Sequence, residues 1–268
     1  MKKQRIDLLL VEKALFPSRE KARSALMAGL VHVDGVPVDK AGTKVDPNAD
    51  IRVKGPVSPY VSRGGLKLEK AIREFSIVLH DQICLDIGAS TGGFTDCMLQ
   101  HGARKVYAID VGYGQLSWKL RNDDRVVVMD RTNIRRVVPD DLADMADFAS
   151  VDVSFISLKI VVPVVLKLLT ARASMVLLIK PQFEAGRERV GKNGVVRDPG
   201  VHKQVLREIV DMCDELDLQV LGLSFSPIKG PKGNVEFLLY VQKGLTGDSS
   251  SDPGMIGEVV ETSKLHQF

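Results

Sequence analysis

Hydrophobic residues recur along this chain with two periods. In the first stretch Ile6, Leu9, Leu10 and Ala14 fall at helical spacing, with Leu15 extending the same face. Pro17-Ser18 supplies a break and an N-cap, and Ala22, Ala25 and Leu26 form the inward face of a second helix that Gly29 ends. The period then changes to two. Val31, Val33, Val36 and Val38 alternate around Asp34-Gly35, a hairpin signal, and Lys44-Val45 and Ile51-Arg52-Val53 are further short strands. From residue 66 the pattern is longer and regular. Leu68, Ala71, Ile72 and Phe75 mark a helix, followed by expected strands at 83–87, 105–110, 126–130, 147–153, 174–180, 218–225 and 235–242. Helices over 93–101, 158–169 and 200–216 fill the gaps. Runs such as Val176-Leu177-Leu178-Ile179 are apolar on both faces, as in parallel strands covered on both sides. The chain therefore reads as α/β, with a doubly wound, mostly parallel sheet of seven strands behind a small α+β domain.

The expected boundaries are 1–58 for the small domain, 59–65 for a linker, 66–243 for the α/β domain and 244–268 for a tail. Gly55-Pro56-Val57-Ser58-Pro59-Tyr60 and Ser62-Arg63-Gly64-Gly65 carry the Pro/Gly signal at the join. Gly247-Asp248-Ser249-Ser250-Ser251-Asp252-Pro253-Gly254 is linker-like, and 256–265 is expected to form a short helix that docks back.

Charge sharpens this division. The formal net charge of the 268 residues is +3, yet residues 1–54 hold 11 Lys/Arg against 7 Asp/Glu, while the rest holds 26 against 27. A basic excess concentrated in a small domain suits a nucleic-acid partner. Cys84, Cys97 and Cys213 lie in apolar or helical patterns without metal-ligand spacing, so no metal site and no disulfide framework is expected. The charged N-terminus does not read as a signal peptide, and Ile156 to Leu169, broken by Lys159 and Lys167, is too short to span a membrane. A soluble, cytoplasmic protein with no membrane partner is expected.

Chemistry concentrates at strand ends. Asp86, Asp110, Asp130, Asp152 and Lys180 each close an apolar run, and in doubly wound sheets ligands bind outside those ends. The turn Asp86-Ile87-Gly88-Ala89-Ser90-Thr91-Gly92-Gly93-Phe94-Thr95 lets a nucleoside approach the backbone, and Asp110 follows 24 residues after Asp86, near the distance at which an acid meets a ribose diol. The spacing is not Gly-x-Gly-x-x-Gly, so the pyrophosphate fingerprint of a dinucleotide site is missing.

On these residues the α/β domain resembles the S-adenosylmethionine-binding, Rossmann-like methyltransferase fold. The resemblance implies S-adenosylmethionine contacts from Asp86, Gly88, Ala89, Ser90, Gly92, Gly93, Phe94, Asp110, Asp130 and Asp152. Asp110 would hold the ribose hydroxyls and Asp130 the adenine amino group, with Met129 or Arg131 lining the adenine pocket. Residues 1–58, through Arg5-Ile6-Asp7, Ser18-Arg19-Glu20-Lys21-Ala22, Gly29 and Val31-x-Val33-Asp34-Gly35, resemble the S-four-type RNA-binding module.

Asp152-Val153-Ser154-Phe155 lacks the Pro-Pro-aromatic turn of base amino-group methyltransferases, and no cysteine follows it for attack on a pyrimidine carbon. The ordered set Lys67, Asp152, Lys180 and Glu236 is similar to that of FtsJ-like RNA ribose 2′-O-methyltransferases, and with the module in front the chain resembles the TlyA family, sometimes labelled haemolysin. The implied reaction is 2′-O-methylation of ribosomal RNA at cytidine, within assembled subunits. Lys180 would stabilise or take the 2′-hydroxyl proton, Asp152 and Glu236 would orient the lysines, and Lys67 would steer the ribose. Expected RNA contacts are Arg5, Arg19, Lys21, Arg23 and Arg63, with Arg187, Arg189 and Lys192 on a long loop over the site. The competing classes are a non-catalytic RNA-binding or assembly factor and a membrane-lytic protein.

Overall fold

The computed structural model describes residues 3–16, 18–27, 29–53, 58–244 and 253–265. The chain divides into two compact units, one ending at Arg63 and the other beginning at Gly64. Pro17, Gly55, Pro56 and most of the linker-like tail fall outside the described residues.

In the first unit β1 (Gln4–Arg5) leads directly into α1 (Ile6–Glu12), followed by α2 (Arg19–Met27), β2 (Val31–Val33), β3 (Val36–Pro37), β4 (Lys44–Val45) and β5 (Ile51–Val53). The strands form a three-stranded sheet in the order β3-β2-β5 and a separate β1-β4 pair. Asp34 and Gly35 have φ of 50° and 82°, the left-handed pair that a two-residue hairpin requires. Ile6, Leu9, Leu10, Ala22, Ala25 and Leu26 meet in the core as their spacing implies. Leu15 does not join them. Ala14 adopts φ 53°, and the amides of Leu15 and Phe16 both turn back to the Leu10 carbonyl. That left-handed turn ends the helix early, leaves Leu15 exposed and buries Phe16 instead.

Asp7 is fully buried at the start of α1, where its carboxylate accepts from Arg5 Nε and Nη2 and from Arg19 Nη2, all at 3.0 Å. The bidentate Arg5 contact, aided by Arg19, holds its pKa down to about 2. Lys21 Nζ also bonds inward, to the carbonyls of Ser58, Pro59 and Tyr60.

The second unit contains α3 (Gly65–Glu74), β6 (Ile83–Ile87), α4 (Gly93–Gln100), β7 (Lys105–Ile109), α5 (Trp118–Arg121), β8 (Val126–Met129), β9 (Ala146–Val151), α6 (Leu158–Val165), β10 (Leu169–Ile179), α7 (Pro181–Glu184), α8 (Pro199–Glu215), β11 (Leu218–Phe225), β12 (Phe237–Lys243) and α9 (Pro253–Leu265). The sheet order is β11-β12-β10-β9-β6-β7-β8. Six strands run in one direction, and β12, between β11 and β10, is antiparallel to both neighbours. The chain winds outward from β6 through β7 to β8 and then returns to β9 on the other side of β6. The switch point therefore lies between β6 and β9. Leu85, Ile87, Ala149, Val151, Leu177 and Ile179 build one face of the core and are all buried. The helix expected over 158–169 stops at Val165 and gives way to a short 3-10 turn, from which β10 starts early. The expected terminal helix is present, and Ile256 and Val260 bury it against α8 and β11. Among the described residues no helix is long and apolar enough to cross a membrane.

Because the folded-state pKa of Asp7 lies below its reference of about 3.9, its ion pairs stabilise the fold above that value and are lost as pH falls toward 2. Asp7→Asn should therefore speed amide exchange of Leu9 and Leu10 strongly at pH 7, with the difference from the native chain narrowing on acidification below about pH 4. Hydrogen exchange at several pH values measures this directly.

Candidate active site

Four elements deliver the predicted Lys-Asp-Lys-Glu set to one edge of the sheet. Lys67 comes from the first turn of α3, Asp152 follows β9, Lys180 follows β10, and Glu236 precedes β12. Because β12 runs antiparallel, a residue at its start lies on the edge where β9 and β10 end. Lys67 Nζ is 2.5 Å from Glu236 Oε2 and 3.8 Å from Asp152 Oδ2, and Lys180 Nζ is 2.5 Å from Asp152 Oδ1. The charges alternate along the row Glu236, Lys67, Asp152, Lys180. Lys67, Lys180 and Glu236 are buried. Lys180 Nζ also donates to the Val153 carbonyl at 2.9 Å and Ser154 Oγ at 3.1 Å, so each of its N–H donors has an acceptor. Glu236 Oε1 is buried with no hydrogen-bond partner among the described residues.

Beside this row a cavity of about 810 Å³ opens over the switch point, in the size range of small-molecule sites. Gly88, Ser90, Asp110 and Asp152 line it. Gly88 has φ 88°, and a Cβ there would stand 2.4 Å from the Asp152 carbonyl oxygen, so only glycine lets the turns after β6 and β9 approach this closely. The two Asp110 oxygens each accept a backbone amide, Gly112 N at 2.6 Å and Ser90 N at 2.8 Å, which fixes the carboxylate at the cavity wall.

Other expected cofactor contacts lie elsewhere. Asp86 sits inside β6, fully buried, and accepts from Thr95 N at 2.8 Å and Thr95 Oγ1 at 2.6 Å, tying the strand to the start of α4. Burial raises its pKa to about 7 against those bonds. Ala89, Gly92, Gly93 and Phe94 are packed behind the cavity wall rather than in it. A Cβ at Gly92 would meet the Leu120 side chain at 2.2 Å, so that glycine serves helix packing. Asp130 is engaged by the Arg121 guanidinium and by Gly114 N, outside the cavity lining. Met129 is also outside that lining, and Arg131 stacks on Tyr113 at 4.1 Å. Thr132, Asn133, Ile134 and Arg135 occupy the wall instead.

Residues that the strand-end pattern did not mark complete the wall. Gln115, Ile156 and an aromatic pair at the mouth, Phe155 and Phe183, line it, the two rings 4.9 Å apart. Phe155 is 91% exposed with φ 63°, a backbone conformation that a bulky residue rarely adopts. Its neighbourhood is braced by Glu184, whose carboxylate accepts from Ser157 Oγ at 2.6 Å and Leu158 N at 2.9 Å.

The expected RNA contacts divide into engaged and outward cations. Arg5, Arg19 and Lys21 make the inward bonds already described. Arg189 lies 3.8 Å from both Glu188 and Glu208. Arg23, Arg63, Arg187 and Lys192 are exposed.

Comparison with known proteins agrees with this geometry. The FtsJ-like methyltransferase model matches residues 60–243. The chain belongs to the FtsJ-like methyltransferase family. Its N-terminal residues 4–51 match the S4 domain. A Bacillus subtilis relative, YqxC, provisionally designated an rRNA methyltransferase, is 51% identical over 98% of this chain and 95% of its own. The Mycobacterium tuberculosis 16S/23S rRNA (cytidine-2′-O)-methyltransferase TlyA is 43% identical over 90% of each chain. A solved structure from Streptococcus thermophilus with a hemolysin designation superposes with a TM-score of 0.80 at 47% identity, covering 99% of this chain and 97% of that one. In this FtsJ-like chain the edge that carries the Lys-Asp-Lys-Glu row is thus also the edge that carries the cavity.

Glu184 is a brace whose loss can be measured. Glu184→Ala leaves the buried start of α6 without its acceptor and should lower stability by about 1–3 kcal/mol, seen as a fall in thermal unfolding midpoint.

Proposed function

We propose that this chain transfers the methyl group of S-adenosylmethionine to a ribose 2′-hydroxyl of ribosomal RNA, at cytidine, within assembled subunits, as a cytoplasmic enzyme. The observation that carries the reading is the alternating row Glu236, Lys67, Asp152, Lys180 bordering a nucleoside-sized cavity. The name of the Mycobacterium tuberculosis relative supports the choice of nucleoside and of ribosomal RNA, and the S4 match supports an RNA substrate.

The cofactor fits the residues present. Gly88 and Ser90 would pass beneath it, Asp110 would accept from its ribose hydroxyls with the lone pairs left by its two amide bonds, and Asn133 and Ile134 would flank its base. When bound, S-adenosylmethionine supplies an electrophilic sulfonium methyl group. The protein must then bring the 2′-oxygen into line at about 3–3.5 Å and stabilise it while the oxygen–methyl bond forms, the sulfur–methyl bond breaks and the hydroxyl proton is released to solvent. Lys180, gripped by Asp152, presents its ammonium group where negative charge develops on that oxygen, and the Ser154 hydroxyl is the partner that a substrate hydroxyl would replace. Lys67, held by Glu236 and near Asp152, positions the ribose and keeps the Asp152 carboxylate between two cations. Phe155 and Phe183 offer aromatic faces at the mouth on which a nucleobase stacks. Outside the row, Arg23, Arg63, Arg187 and Lys192 serve the RNA backbone as phosphate contacts.

Two substitutions separate binding from chemistry. Lys180→Ala should reduce methyl transfer to ribosomal subunits by at least about a thousandfold while calorimetry finds S-adenosylmethionine affinity within about threefold of native. Asp110→Ala should instead weaken cofactor affinity by tenfold or more, about 1.4 kcal/mol, with the Lys-Asp row intact. Retained turnover in Lys180→Ala would remove that residue from the chemistry.

A further inference from the structure

A second cavity, about 370 Å³, opens in the methyltransferase unit between the loop after α7, the loop before β12 and the last turns of α9. Arg197, Lys229, Lys232 and Lys264 line it, and no Asp or Glu does. Lys264 is held by Glu261 at 2.8 Å, whereas Arg197 and Lys232 have no ion pair among the described residues. The remaining wall includes Val195, Val196 and Val235. The cationic side chains are exposed and gather at the rim of the recess, where their like charges repel one another and favour a bound anion.

The recess is built rather than incidental. Asn234, 3% exposed, accepts from Val196 N at 3.1 Å through Oδ1 and donates to the Gly194 carbonyl at 2.9 Å through Nδ2, while its own carbonyl accepts from Gly230 N at 2.9 Å. One side chain thus stitches both loops together. Asn193 and Lys232, neither of them glycine, hold left-handed backbone, a conformation that Lys232 in particular keeps only where the surroundings impose it.

We propose that this cavity is a phosphate site, and that it holds a backbone phosphodiester of the RNA strand whose ribose is methylated; the second clause rests on the function proposed above. A phosphate matches the planar fork of Arg197 combined with point charges from lysines. Location ties it to catalysis. Val235, in the cavity wall, is the neighbour of Glu236, and on the same loop a Cβ at Gly230 would stand 2.2 Å from Glu236 Oε1. A phosphate that fixes the loop from 229 to 235 therefore fixes the carboxylate that holds Lys67.

The test uses the full chain carrying Arg197→Gln and Lys232→Gln together, with Arg172→Gln, an exposed cation near the start of β10 at the opposite end of that strand, as control. Wild type is first shown to methylate ribosomal subunits from cells lacking the gene. The double variant should keep its thermal midpoint and cofactor affinity, lose roughly tenfold in kcat/KM, and show a salt dependence of log(kcat/KM) shallower by about 1–2. An unchanged salt slope, or the same change in Arg172→Gln, would overturn the RNA clause. A second arm follows the ring carbon signal of buried His202, which lines the cavity, in wild type during titration with inorganic phosphate or with the subunits' extracted RNA. A response to RNA that is lost in the double variant supports the backbone source. A saturable response at millimolar inorganic phosphate alone assigns the site to free phosphate and overturns the RNA clause. No response to either overturns the phosphate site. If wild type methylates no subunit, the proposed function fails, and the His202 titration with inorganic phosphate still decides the cavity.

Discussion

The row of alternating charge, Glu236 to Lys67 to Asp152 to Lys180, is the constraint that the rest of the methyltransferase unit serves. Burying three charged groups beside a half-buried fourth is expensive, and mutual attraction offsets that cost only where geometry is tight and remaining donors are satisfied. Here the sheet provides the geometry. β9 and β10 place Asp152 and Lys180 side by side at adjacent strand ends, and α3 brings Lys67 across to the carboxylate at the start of β12. Loss of Lys67 strands Glu236, and loss of Asp152 strands Lys180, each buried without its counter-charge, so the two inner members hold the row together. Glu236 Oε1, buried and without a hydrogen-bond partner among the described residues, shows that this row is not optimised for stability alone.

Much of this arrangement could be read in the sequence. The continuous apolar runs marked the strands of the larger sheet, and the polar residues closing them marked the edge at which the charged row assembles. A strand-end position nevertheless says nothing about where a carboxylate turns. Asp86 turns into the protein to cap α4 through Thr95, and Asp130 turns to Arg121, although both follow the same pattern as Asp110. Rotamer and neighbour decide, and the neighbours come from elements distant in sequence. The cavity residues that the pattern missed, Asn133 and Phe155 among them, lie in turns beyond the strand ends, where no period marks them. The early end of α1 at Glu12 belongs to the same class, because a single left-handed residue outweighed a helical repeat.

Charge counting has a related limit. The basic excess of the first unit suited a nucleic-acid partner, and that unit matches the S4 domain, but charge alone did not separate cations that face solvent from cations that hold the fold. Arg5 and Arg19 spend part of their hydrogen-bonding capacity on Asp7, and Lys21 spends its on backbone carbonyls. A guanidinium pinned on one side still presents its other edge, in a fixed direction and with little entropy left to lose. Substituting such residues will disturb the fold, so it will not report on RNA affinity alone.

The insertion of β12 between β11 and β10 has a consequence for synthesis of the chain. β11 pairs only with β12. A chain elongated through β10 already contains every residue lining the larger cavity, with the exception of Phe183, but lacks Glu236. Its last two strands must enter as a hairpin-like pair, with the later strand going innermost. On the proposed roles, the cofactor cavity is encoded ahead of the full charged row, which is complete only when the last strand of the sheet is about to leave the ribosome.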